Sequence, residues 1–433
     1  MKRLRRSVLV LLLLAAGGYL IFDRIEAHGL ASDIAAIAAR GEPVRYEDAF
    51  PHPTTPEQRD AGTLYQQAAE AAEERALSDN RLAGRLDVDK PGGTELPLDD
   101  IVANYRNDAP ALQLLDRATP LDFHGFDPDA FDPTHYEYVM QSLGSVACLR
   151  ADLASARGDG EAAAAALVPC LRLQRTFVSS LDRSLQATRI VGSVRILLRH
   201  TRPSAGALDA MQRALDTWPD DDPTPRDVLL DRAHFIDASD QAFVPGLAAA
   251  IGRMALHPFV LRSARRALAS YRPAMVMARQ PWPERWLVAD ETERALLESL
   301  KRREHSRAEV LFDPFSFFVP FGTSRLRLSA TDLAARRLIA TVIAVERYRR
   351  ARGHMPSSLD ALVPAFLPRL PEDPFSGKPL LYKQELQAYV IYSVDTNRRD
   401  DGGVLYGFGA AQEKHVGPQS PRDFGVRVPL SIP

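Results

Sequence analysis

Residues 144–177 read GSVACLRADLASARGDGEAAAAALVPCLRLQRTF, and the fold is decided there. Gly158-Asp159-Gly160 at the centre breaks a helix and forms a tight turn. The alanine-rich stretch after it has the strongest intrinsic preference for helix. The stretch predicts a helical hairpin. Its first helix covers about His135 to Arg157. Its second covers about Glu161 to Leu181, with a kink at Pro169, where the backbone has no N–H to donate. Thr134 is placed as the N-cap of the first helix. A third helix follows over Ser184 to His200, with Ile190, Val194, Leu197 and Leu198 as its apolar stripe.

The junction resembles those of tetratricopeptide-like hairpins, but no repeat of about 34 residues accompanies it, so the stretch reads as a hairpin and not an array. The chain holds two cysteines, Cys148 and Cys170. One lies 11 residues before Asp159 and the other 11 after it, which puts both at the same height in an antiparallel hairpin. Cys148 shares a face with Gly144, Ala151 and Ser155, small residues that permit close approach. Cys170 shares one with Ala163, Ala166 and Phe177. A Cys148–Cys170 disulfide is one expectation. Two buried free thiols, packing as small hydrophobes, are the other.

Outward toward the N-terminus, Lys2, Arg3, Arg5 and Arg6 precede an apolar run from Ser7 to Phe22. Sixteen helical residues extend about 24 Å, a little short of a hydrocarbon core of about 30 Å. Flanking arginine stems can lengthen the run by reaching to the interface. The run predicts a transmembrane signal anchor over 1–24. The charges stay on the cytoplasmic side, which places the C-terminal bulk outside. A cleaved signal peptide is the competing reading, but Asp23, Arg24, Ile25 and Glu26 are poor cleavage context. Either reading exports the rest. The protein is expected in the bacterial inner membrane, single pass, with its bulk in the periplasm.

The 433 residues suffice for two or more folding units, and the prolines, 32 in all, punctuate a series of helices. Residues 25–60 read as a stalk and proline-rich linker, with Ile34 and Ile37 on the apolar side of a helix that Gly41 caps. Residues 61–328 read as a helical body. After residues 61–77, 101–118 (interrupted at Pro110) and the hairpin unit, its helices are expected at 205–217, 224–239 and 247–280. The last should break at Pro258 and Pro273. A charged helix follows at 284–310. A net charge of −2 and the lack of a basic stripe with interleaved aromatics argue against nucleic acid as a partner.

From Ser329 the pattern changes. Thr331 is placed as the N-cap of a long helix over Asp332 to Arg352, followed by Gly353-His354-Met355-Pro356 and a short helix at Ser358 to Val363. Pro364, Pro368, Pro371 and Pro374 mark an extended stretch. Strands Leu380 to Lys383 and Ala388 to Val394 then read as a hairpin. Residues 329–410 thus form a small α+β module, and 411–433 an extended tail. The order and motifs resemble the periplasmic domain of major, G-type type II secretion pseudopilins. The match rests on the Gly353–Pro356 turn, on Leu359 and Leu362, on Leu370-Pro371-Glu372-Asp373-Pro374-Phe375-Ser376-Gly377 and on Tyr389-Val390-Ile391-Tyr392-Ser393. It covers 330–405, under a fifth of the chain. The module also looks like the C-terminal part of long anchored proteins of bacterial envelopes.

The resemblance implies a calcium loop at 393–403, with oxygens from Asp395, Asn397, Asp400 and Asp401. Calcium takes six to eight oxygen ligands, so carboxylates on a glycine-bearing turn suit it. Arg398 and Arg399 suit a cation site only if they point away. The N-terminus departs from the family, with no Gly-Phe processing junction and no glutamate five residues into the apolar helix. Phe375 stands where the family prefers Trp. These departures argue against a filament subunit.

No catalytic constellation emerges. There is no Gly-x-Ser-x-Gly, His-Glu-x-x-His, Cys-x-x-Cys or phosphate-loop pattern. His124, Asp127, Asp129, Asp132 and His135 crowd together as metal-ligand types, but Asp127-Pro128 and Asp132-Pro133 also read as turns. Asp231 with His234, and Asp290 with Glu293, share helix turns and read as surface charge. The expected fold is therefore mainly α: a transmembrane helix, a helical-hairpin body and a small α+β module with a short antiparallel sheet. The expected role is a non-catalytic interaction or scaffold protein of the cell envelope, with a protein partner there. An accessory of a type II secretion or pilus-like system and an enzyme of unrecognised type are the alternatives.

Overall fold

The computed structural model describes residues 2–49, 52–73, 109–126, 133–177, 179–241, 247–303, 323–405 and 423–431. The helices in chain order are α1 (Lys2–Ala38), α2 (Pro56–Glu73), α3 (Ala109–Ala118), α4 (Pro133–Ala156), α5 (Gly160–Leu173) and α6 (Ser180–His200). They continue as α7 (Ala205–Leu215), α8 (Thr224–Gln241), α9 (Leu247–Ala269), α10 (Tyr271–Ala278), α11 (Glu284–Arg303) and α12 (Thr323–Arg352). Strands β1 (Leu381–Gln384), β2 (Ala388–Ser393) and β3 (Phe424–Pro429) form a small antiparallel sheet near the C-terminus. By packing, the chain divides into two compact units. Unit 1 is Met1–Ala49, Thr224–Gln280 and Glu284–Leu326; unit 2 is Phe50–Pro223, Pro281–Pro283 and Arg327–Pro433.

In unit 2, α4 and α5 pack as the hairpin that the turn predicts. Gly158 takes φ +77°, a left-handed conformation in which a side chain is strained. Asp159 N-caps α5, its carboxylate accepting from Ala162 N at 2.9 Å. Replacing Asp159 with alanine is expected to cost about 1 kcal/mol, read as a lowered urea midpoint at unchanged slope. The second expected helix ends earlier than its pattern suggests. It gives way at Gln174–Thr176 to a single 3-10 turn, and α6 begins afresh at Ser180 with Ser179 as its cap. Pro133, not Thr134, opens α4. Ile190, Val194, Leu197 and Leu198 of α6 are all buried, against α4 among others. Burying such a side chain contributes about 1.5–3 kcal/mol.

The C-terminal elements of unit 2 follow the expected order, with two corrections. The long helix does not start at Thr331. It starts at Thr323, because Leu326 and Ala330 continue the buried stripe of Ala334, Leu338 and Val342. Within the stretch read as an extended tail, Phe424–Pro429 forms β3, pairing antiparallel with β2 from Ala388↔Pro429 to Ser393↔Phe424. β2 is thus central, and all six of its residues are buried. This accounts for its unbroken apolar run, which a strand with one wet face would not need. Residues 411–422 of the expected tail lie outside the described residues, as do 406–410 of the module and 311–322.

In unit 1, α1 is one continuous helix over the expected anchor and stalk. Among the described residues no helix is long and apolar enough to cross a membrane, so the transmembrane helix expected over 1–24 is not supported. The physical reason lies in its composition. The apolar run is short, and charged Asp23, Arg24 and Glu26 follow at once. From Phe22 onward α1 lies along α9 in the same direction. Phe22 meets Phe259 edge to face with ring centroids 5.4 Å apart, and Asp23 contacts His257. The expected break at Pro258 does not occur, since α9 runs through it. Pro273 falls in the first turn of α10, where the missing N–H has no helical partner to lose, and the break comes at Ser270 instead.

Candidate functional site

The C-terminal loop of unit 2 brings its acidic residues near one another but turns them to nearby donors. Asp400 Oδ1 accepts from the Tyr392 hydroxyl at 3.1 Å and from Gly402 N at 2.8 Å. Asn397 donates to Asp401 Oδ2 at 2.7 Å and accepts from Arg399 N. Asp395, at φ +53°, is buried. Three of the four residues expected to bind calcium thus already spend an oxygen or an amide on local hydrogen bonds. Among the described residues no group of three or more His, Cys, Asp and Glu side chains is set to hold a metal ion.

Two carboxylates outside that expected set organise the loop. Asp423 accepts from Asp401 N and from Gly403 N at 2.8 Å. Burial pushes its carboxyl up to about 6 despite those bonds, with Asp401 and Asp400 adding to the rise. Asp373 accepts from Phe375 N, Ser376 Oγ, Ser393 Oγ and Val394 N, which ties the proline-rich segment to the end of β2. Burial raises its pKa too. Its Asp-Pro sequence signals a turn, but nothing local signals the link to β2.

The two cysteines lie beside each other across α4 and α5, buried and unbridged. Burial, and next the Cys148 thiol, push the Cys170 thiol well above its ordinary value, which makes it a poor nucleophile. His124 is exposed and pairs with Asp122 at 3.4 Å, whereas Asp127, Asp129 and Asp132 lie outside the described residues. Asp231 accepts from the Tyr271 hydroxyl at 3.1 Å, while His234 stacks edge-on against Tyr46. Glu293 accepts from Thr323.

A cavity lies in unit 1, where the second half of α1 meets α8, α9 and α10. Its volume is about 730 Å³. Arg262, Arg265 and Arg266 share one face of α9 and line it, together with Arg40, Arg232 and Arg272. Arg265 reaches across α1, donating to Glu26 at 2.9 Å and to Asp33 at 3.0 Å. It lies flat over Gly29, where an added Cβ would meet the guanidinium at 2.3 Å. Glu42 accepts from Arg40 Nε at 2.9 Å and from Arg232 Nη1 at 2.6 Å. These bonds, Arg40's foremost, lower the Glu42 carboxyl to about 2. Arg232 is buried, its side chain only 8% exposed, yet its Nε and Nη2 have no hydrogen-bond partner.

No family model matches the chain, and no curated protein or solved structure is significantly similar to it. The site therefore has to be read from its own chemistry. A second, smaller cavity of about 200 Å³ in unit 2 makes a useful contrast. There Arg336 donates to Trp218 O, and Arg337 donates to Asp220 and Glu372 O, so its arginines are paired within the protein. The unit 1 cavity instead holds a buried guanidinium with donors unspent. The signal for it in the sequence is the spacing of Arg262, Arg265 and Arg266, three and four residues apart on one helix face.

Proposed function

We propose that the protein is a non-catalytic interaction protein of the bacterial cell envelope. It is held in the inner membrane by the first half of α1, with its helical bulk in the periplasm facing a protein partner. One observation carries this reading. Val10, Leu11, Leu12, Leu13 and Leu14 are each more than half exposed, as are Leu20, Ile21 and Ile25. So dense an apolar surface marks a membrane or protein contact. The basic residues before it favour insertion with those charges on the cytoplasmic side. Full-length protein is expected to pellet with membranes and to resist a carbonate wash. A chain lacking residues 2–22 should stay in the supernatant. Full-length protein found soluble after lysis would end this reading.

The accessory reading also has an observation in its favour. α12, the Gly353–Pro356 turn, the 3-10 turn at Leu359–Leu362 and the antiparallel sheet follow the order that the pseudopilin resemblance implies. Crosslinking in intact cells, with partners identified by mass spectrometry, separates the two. Secretion components among the adducts favour the accessory role, and other envelope proteins favour the scaffold.

A further inference from the structure

We propose that the arginine-lined cavity of unit 1 is a binding site for a phosphate-bearing anion. Arg232 gives the first reason. Its guanidinium is buried, and only Nη1 is engaged, by Glu42. Nε and Nη2 lack acceptors. A buried donor without a partner is costly, and Nε and Nη2 are themselves enclosed, so an acceptor from outside meets them once the Arg232 side chain turns toward the cavity it lines.

Charge gives the second reason. Six arginines line the cavity against three carboxylates, Glu26, Asp33 and Glu42. Those three are already engaged by Arg265, Arg40 and Arg232. The excess of positive charge suits a multiply charged anion better than a single carboxylate. The planar guanidinium fork matches pairs of phosphate oxygens, and a cavity lined by six arginines offers more than one such fork. Arg262, Arg266 and Arg272 are exposed at the cavity, where an entering anion meets them first.

Position bears on the source of the phosphate. Glu26, where the lining begins, is four residues past the end of the apolar run, about 6 Å along the helix. With the run in the membrane, that height falls within the polar headgroup layer, which spans about 5–8 Å on each face. A lipid phosphate would then lie level with Glu26 and the Arg265 guanidinium bonded to it, whereas Arg232, bonded to Glu42, stands farther along the chain from the run. This choice of source rests on the membrane attachment proposed above, whereas the phosphate chemistry of the cavity does not.

The test uses full-length protein in a neutral detergent and isothermal calorimetry. The probes are inorganic phosphate, glycerol 3-phosphate, dihexanoyl phosphatidic acid and, as a phosphate-free control, dihexanoylglycerol. The phosphate-bearing probes are expected to bind and the control not to. Arg262→Gln, Arg266→Gln and Arg272→Gln combined should weaken binding at least tenfold with the melting temperature unchanged, since all three side chains are exposed. Arg232→Gln should weaken it too. Preference for the lipid assigns the site to headgroups, and equal binding of glycerol 3-phosphate assigns it to soluble phosphates. The proposal is overturned if no phosphate-bearing probe binds, or if the triple variant binds as tightly as the parent chain. Neither outcome depends on whether the protein pellets with membranes.

Discussion

Replacing Asp332 with alanine is expected to destabilise unit 2 by about 3–5 kcal/mol, because it strips a buried guanidinium of its carboxylate. Asp332, on α12, is buried, and its Oδ2 accepts from Arg183 Nε of α6 at 3.2 Å. The two side chains are 4% and 7% exposed. Gln174, at the end of α5, donates to Asp332 Oδ1 at 3.0 Å and to Arg183 O at 2.7 Å. One carboxylate therefore joins α12 to the end of α5 and the start of α6, which lie about 150 residues earlier in the sequence. An exposed pair would contribute well under about 1 kcal/mol, so burial decides the size of the effect. The loss should lower the melting temperature by roughly 10 °C, taking about 2–4 °C per kcal/mol for a unit of this size. The double variant Arg183→Met with Asp332→Leu should recover most of it, because an apolar pair leaves no charge to solvate. A single variant within about 1 kcal/mol of the parent chain, by urea denaturation, would show that water or neighbouring groups replace the carboxylate.

The same cluster marks where the sequence stops being legible. Gly158 and Asp159 speak for themselves, since a left-handed turn and a cap are set within four residues, whereas Ser179 fell inside the expected second helix. The stripe on α6 and the β1–β2 hairpin are local as well. What could not be read is whatever depends on partners distant in the chain. Residues 144–177 have the composition of a continuing helix after Leu173, but Gln174 turns instead and spends its amide on Asp332 and Arg183. β3 alternates Phe424, Val426 and Val428, but its pairing with β2 joins segments distant in the chain. Pro258 looks like a break until α9 is seen to run through it beside α1. The arginine cavity depends most on distant partners, because Glu42 and Arg232 are 190 residues apart and their neighbours on α1 were read as a stalk. The apolar start of α1 was legible as a surface that water does not favour.

Asp152 leads to the second large effect, and it depends on pH. The side chain sits on α4, fully enclosed, with the Ser193 hydroxyl of α6 beside it and Cys170 of α5 nearby. Asp152 Oδ1 has no hydrogen-bond partner. Burial pushes the carboxyl up to about 7, and Ser193, Arg189 and Arg195 only partly offset it. In the unfolded chain the group titrates near its ordinary value of about 3.9. The folded state therefore binds the proton more tightly, and stability falls as pH rises from about 4 to 7, then levels off. Asp152→Asn removes the ionisable group while keeping its shape. At pH 8 the variant is expected to be more stable than the parent chain by up to about 4 kcal/mol, the three-unit shift converted at about 1.4 kcal/mol per unit. At pH 4.5 that advantage should shrink to about 1 kcal/mol, because the parent carboxyl is then protonated in the folded state and the pH lies only about 0.6 unit above its unfolded pKa. Other carboxylates titrate over the same range, but they are common to both chains and cancel in the difference. Urea denaturation of the pair at pH 4.5, 6 and 8 measures it. An advantage that is the same at all three values would mean that Asp152 stays neutral or stays charged throughout, and that burial at this position does not set its proton.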